Sequence, residues 1–94
     1  MKGKETYDYI DVLGKPYKIK LTDDIGAAGN LGLARRGKQI IILNTEGCAP
    51  EQLEETLLHE VIHIVDGELT LGLTEEAVAC LSVGIYSAGY RRRK

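Results

Sequence analysis

The chain has no tryptophan and no phenylalanine, and only two cysteines, two prolines and one methionine. Five tyrosines are its whole aromatic complement, so its core has to be built from Ile, Leu and Val. The cysteines, Cys48 and Cys80, stand far apart and form neither a C-x-x-C pair nor a disulfide framework, which leads us to expect a reducing, cytoplasmic compartment. Long apolar runs are also missing. The strongest, Ile40-Ile41-Ile42-Leu43, falls far short of the roughly 20 residues a membrane-spanning helix needs, so no membrane role is expected. Met1-Lys2-Gly3-Lys4-Glu5 leads into the tyrosines without an apolar segment, and no secretory signal is expected.

Positive charge is absent where it would matter for nucleic acid. From Gln39 to Tyr90 there is no Lys or Arg, and the same stretch holds nine acids: Glu46, Glu51, Glu54, Glu55, Glu60, Asp66, Glu68, Glu75 and Glu76. Four of the 12 basic groups sit in the tail Arg91-Arg92-Arg93-Lys94, leaving the body with eight basic and 14 acidic groups. Such a body repels phosphate, which argues against nucleic-acid binding through the folded domain, and it suits a cation. The tail reads as a solubilising basic segment. With 94 residues, 44% hydrophobic and 28% charged, residues 1–90 make one domain, followed by the tail at 91–94. A core this small gains from a bound metal or a second copy, so a homo-oligomer stays compatible with the sequence.

What is present divides into two halves. The first reads as strands: Tyr9–Leu13 and Tyr17–Leu21 flank Gly14-Lys15-Pro16, and alternation puts Tyr17, Ile19 and Leu21 on one side with lysines on the other. Leu31–Arg35 and Gln39–Leu43 flank Arg36-Gly37-Lys38 as a second hairpin, with Ile40–Leu43 as a strand buried on both faces. The second half reads as helices. Pro50 suits a first turn, and Leu53, Leu57, Val61, Ile64 and Val65 recur at helical spacing toward a C-cap at Gly67. Thr74 is a good N-cap for a second helix that turns Ala77, Val78, Leu81, Val83 and Ile85 inward, with Cys80 as a small buried hydrophobe. The expected fold is therefore α+β: a small, mostly antiparallel sheet of about four strands, followed by two helices.

The chemistry lies in His59-Glu60-Val61-Ile62-His63, an H-E-x-x-H inside the first predicted helix. Residues four apart share a helix face about 6 Å apart along the axis, so two imidazoles there can meet on one Zn²⁺. Glu60 projects beside that seam, where it can reach a water as general base without being a ligand. These are the only two histidines in the chain, so a third metal ligand has to be acidic or Cys. Position 69, where a His six residues after His63 would complete a metzincin pattern, is a leucine. Asp66 lies too far along a straight helix from His59 to ligate jointly and better suits a hydrogen bond to His63 from outside the ligand set. Glu68 and Cys80 are weaker candidates. Glu75 and Glu76 open the second helix, which a short connection brings back beside the first. Spacing alone leaves both open.

The segments L-L-H-E-V-I-H-I-V-D and L-T-E-E-A-V-A-C-L-S-V-G-I-Y together resemble the gluzincin group of zinc metallopeptidases, above all the minimal single-domain versions and small phage or prophage H-E-x-x-H proteins. The two helix motifs cover residues 50–88, while the strand half agrees only in order. The resemblance implies a minimal zincin-like fold and a third ligand from the helix after H-E-x-x-H. The L-[ST]-E-x-x-V-x-x-L pattern of the small proteins selects Glu75, and the N-E-A pattern of larger enzymes would select Glu76. It further implies a phage-related peptidase in which Glu60 moves the proton and an edge strand, here Gly29–Arg35, aligns a protein or peptide substrate. The chain departs from larger gluzincins in offering only Tyr86, Tyr90 or a tail arginine to stabilise an oxyanion, and in lacking a second subdomain. A non-catalytic zinc module that binds a partner protein is therefore the competing expectation.

Overall fold

The computed structural model describes residues 8–22, 32–45 and 49–89. Four strands come first, β1 (Asp8–Val12), β2 (Lys15–Thr22), β3 (Gly32–Arg35) and β4 (Ile40–Asn44), then two helices, α1 (Pro50–Leu69) and α2 (Glu75–Ser87). The sheet order is β1-β2-β4-β3. The β1–β2 and β3–β4 pairs are antiparallel, and β2 and β4 run parallel. This is the α+β, mostly antiparallel architecture that the order of strand-like and helix-like segments predicts. No helix among the described residues is long and apolar enough to cross a membrane.

Register fixes the turns. Val12 pairs with Lys15, so the first hairpin turns on Leu13 and Gly14, both at positive φ (55° and 83°), as a two-residue loop requires for its twist to match the strands. The expected turn at Gly14-Lys15-Pro16 is thus one residue late, and Lys15 and Pro16 already belong to β2. Proline is tolerated there because β4 joins β2 only from Lys18 onward, leaving one side of Pro16 without a neighbouring strand. Its carbonyl accepts a hydrogen bond from Gln39 Nε2 at 2.7 Å, which ties the start of β2 to the β3–β4 turn.

One face of the sheet is the core. Val12, Tyr17, Ile19, Ile41 and Leu43 meet Leu57 and Ile64 of α1, flanked by half-buried Ile10, Ala34, Leu53, Val61 and Val65. The helical stripe read from the sequence is therefore the packing stripe. In β4 only Ile41 and Leu43 are fully covered, while Ile40 and Ile42 on the other face are half-buried. Leu21 alternates onto the inner side but is exposed, because no described residue covers that end of β2.

Two expectations about the helices are corrected. Gly67 does not cap α1: the helix continues to Leu69 and ends at Thr70, which is left-handed (φ 53°) and donates its N–H to the Asp66 carbonyl. Gly67 is occupied by a tertiary approach instead, since a Cβ there would lie 2.8 Å from Arg36 Nε. Arg36 and Lys15 both reach Glu68, at 3.6 and 3.5 Å. In α2, Leu81, Val83, Ile85 and Cys80 are exposed rather than buried. Among the described elements α2 packs only on α1, so one narrow face, Val78 and Ser82, is fully covered. Thr74 caps α2 as expected, its Oγ1 accepting the Ala77 N–H at 3.0 Å.

The hydroxyl of Tyr17 is buried with no hydrogen-bond partner among the described residues. An unsatisfied buried hydroxyl costs about 1–3 kcal/mol. Tyr17→Phe removes that cost while keeping the ring, and should hold or raise the melting temperature, by up to several degrees for a domain of this size; thermal denaturation followed by circular dichroism checks it.

Candidate metal centre

The α1 helix places His59 and His63 one turn apart on the face turned toward α2. Their ring centroids are 4.8 Å apart, and the two Nε2 atoms approach to 3.2 Å. Glu75, the first residue of α2, supplies the third donor: Oε2 lies 2.9 Å from His59 Nε2 and Oε1 2.9 Å from His63 Nε2. The structure thus brings His59, His63 and Glu75 together, with ligand atoms within 4.8 Å of one another. Glu76 also stands in the first turn of α2 but outside this group, since one residue of helix rotates a side chain by about 100°. Donor separations of 2.9–3.2 Å are close to the roughly 3.3 Å edge of a tetrahedron with metal–ligand bonds of about 2.0–2.1 Å. The group could hold a metal ion.

Glu60 lies next to His59 in the chain but belongs to a different environment. It is 9% exposed, and it lines the same cleft as the three donors without joining them. Burial pushes its carboxyl above the ordinary value of 4.5; His59 and His63 pull it back, and Glu75 adds to the rise. The carboxylate is therefore held at the edge of the donor group in surroundings that favour taking up a proton.

The cleft has a volume of about 810 Å³. Its floor is α1, with Thr56, Glu60 and the histidines; β3 forms one wall through Gly32, Leu33 and Ala34, and α2 the other through Glu75, Ala79 and Val83. The approach of β3 depends on Gly32. A Cβ there would meet Thr56 Cγ2 at 2.8 Å and Glu60 Oε2 at 3.0 Å. Glycine in a strand is the signal that marks such a passage. Thr56 and Ser82, the other small polar groups at the cleft, carry no signal in the sequence beyond their place on a helical stripe. Ser82 is 2% exposed and satisfied within its own helix, donating to the Ala79 carbonyl at 2.9 Å.

The remaining sequence candidates are placed elsewhere. Asp66 does not turn its hydrogen bond to His63: its Oδ1 accepts the N–H of Leu73 at 3.0 Å. Glu68 is engaged by Lys15 and Arg36. Cys80 is exposed, and Tyr86 is half-buried on α2 without lining the cleft. Tyr90, the tail at 91–94 and residues 29–31 of the expected edge strand lie outside the described residues. In comparisons with family models, curated proteins and solved structures, nothing matches the chain.

Two outcomes follow from this geometry. A carboxyl raised by burial opposes folding once it is ionised, an effect absent well below pH 4.5, where it is protonated in both states. Glu60→Gln should therefore raise the melting temperature of chelator-treated protein at pH 7 by a few degrees, and the gain should vanish on acidification below the carboxyl range. Gly32→Ala should destabilise by about 1–3 kcal/mol, as overpacking does, measured by urea denaturation.

Proposed function

We propose that the chain is a zinc metallopeptidase of the gluzincin type, with His59, His63 and Glu75 as metal ligands and Glu60 as general base. The observation that carries this reading is the convergence of two imidazole nitrogens and one carboxylate from separate helices, with a second, buried carboxylate beside them in an open cleft. Two His and one Glu with room for a further ligand is a donor set characteristic of catalytic rather than structural zinc. When bound, zinc supplies Lewis acidity, polarising a peptide carbonyl and lowering the pKa of a water. Glu60 would take a proton from the water as its oxygen adds to the peptide carbonyl carbon, and would pass that proton to the amine nitrogen as the C–N bond breaks. Its buried carboxylate suits both halves of the task, because a pKa raised above the ordinary carboxylate value by burial favours accepting a proton that must later be given up. Glu75 and the histidines hold the ligand geometry. The edge of β3 away from β4, unpaired among the described strands, aligns an extended protein or peptide substrate by strand addition, with Gly32 keeping its backbone close to Glu60.

A specific observation supports a second reading. The described lining of the cleft holds no Tyr, Arg or Lys and no third His, and leaves the Gln52 amide and small hydroxyls as its uncharged side-chain donors, a sparse set for stabilising an oxyanion. That favours a zinc-stabilised module that binds a partner protein without cutting it.

Elemental analysis tests the metal reading. Purified protein should carry about one zinc per chain, lost in His63→Ala. Glu75→Ala should weaken zinc binding by at least tenfold, and Glu76→Ala should leave it unchanged. Peptide-library cleavage then separates the two readings. Glu60→Gln should keep its zinc and lose about 10²–10⁴-fold in cleavage rate. Full zinc content with no peptide cleaved would favour the partner-binding module.

A further inference from the structure

Glu75 is the most exposed of the three donors, with 70% of its side chain open to solvent against 22% for His59 and 34% for His63. Side-chain packing therefore does little to aim it. Its position is set by the backbone that leads from α1 into α2, residues 70–74, and that segment has little packing of its own: Leu71 is exposed and Leu73 is only half-buried. It also bends sharply, with positive φ at Thr70 (53°) and Gly72 (76°). A bend of this kind, without a core beneath it, is held by hydrogen bonds.

Those bonds lead to one residue. The Asp66 carbonyl accepts the N–H of Thr70 and the N–H of Leu71 at 3.1 Å. The Asp66 carboxylate accepts the N–H of Leu73 at 3.0 Å. Leu73 directly precedes Thr74, whose hydroxyl caps α2, and Glu75 is the next residue. Asp66 in turn lies three residues beyond His63 on the same helix, so it shares a rigid frame with both histidines. We propose that Asp66 is the positioning residue of the metal site: it clamps the α1–α2 connection to the histidine-bearing helix and thereby fixes where Glu75 meets His59 and His63. It acts through the third ligand rather than by touching either histidine or the metal. This inference rests on the metal-site reading above and deepens it.

The side-chain bond is the part that mutation can remove. Asp66→Ala leaves both backbone hydrogen bonds to the carbonyl in place and frees the Leu73 N–H, whereas Asp66→Asn keeps an oxygen in position to accept it. Zinc affinity is measured by competition with a chromophoric chelator for the wild type, Asp66→Ala, Asp66→Asn, Glu75→Ala and the double variant Asp66→Ala/Glu75→Ala, with helix content checked by circular dichroism. Groups that orient metal ligands are typically worth about 10–100-fold in metal affinity, so Asp66→Ala should weaken zinc by at least tenfold and Asp66→Asn by less than about threefold. In the Glu75→Ala background, adding Asp66→Ala should have no further effect, because the ligand it positions is gone. Full affinity in Asp66→Ala, or an equal loss whether or not Glu75 is present, would overturn the proposal. A wild type that takes up no zinc would overturn the metal-site reading itself, and the positioning role with it.

Discussion

Two imidazole nitrogens 3.2 Å apart, each 2.9 Å from an oxygen of one carboxylate, converge on a common centre. Such a group is held together by what its members share, an N–H hydrogen or a metal ion, because bare nitrogen lone pairs and a carboxylate otherwise repel one another. The rest of the structure follows from satisfying this requirement. One helix has to be regular over a full turn to align its histidines, and a second has to begin beside them with a carboxylate at its first position. The residues between the helices have to reverse the chain within five positions.

The sheet contributes in a different way. It gives α1 a flat apolar surface, with Ile41 and Leu43 of β4 and Tyr17 and Ile19 of β2 packed against Leu57 and Ile64. The helix stripe that faces the sheet is thereby distinct from the stripe that carries the histidines, and core packing and site chemistry do not compete for the same positions. At Gly32 the sheet also enters the cleft, because the absent side chain lets the edge strand lie against Thr56 and Glu60. The desolvation of Glu60 is thus a product of strand packing as well as of its own helix.

What the sequence made legible was local. The apolar period of α1, the histidine pair at four-residue spacing and the Thr74 cap depend on neighbours a few residues away and are found in place; both hairpins are found too, the first with its turn one residue earlier than expected. What it hid was tertiary. Gly67 has the composition of a helix stop, but its meaning comes from Arg36, 31 positions earlier. Leu81, Val83 and Ile85 have the composition of a core, yet α2 has only α1 beside it among the described elements, and periodicity cannot say how many faces of a helix find partners. Spacing leaves Glu75 and Glu76 both open, and only the residues around them, L-T-E-x-x-V-x-x-L from Leu73 to Leu81, favour Glu75. The structure brings that residue to the histidines through the direction in which α2 leaves its cap. Asp66 was legible as a polar residue near the site, but its partner, Leu73, lies in a segment whose bend no pattern announced.

The narrow docking of α2 has a consequence for how the molecule comes apart. Only Val78 and Ser82 are fully covered on that helix, so it contributes little to the shared core and has the character of the least protected cooperative unit in a small domain. A metal ion joining His59 to Glu75 would act as a cross-link closing a loop of 16 residues, restraining the ensemble in which α2 has swung free while α1 and the sheet persist. Ligand occupancy and helix attachment would then be one equilibrium. Chelation would loosen α2 before it touched α1 or the strands, and the cleft would lose its α2 wall together with its third donor.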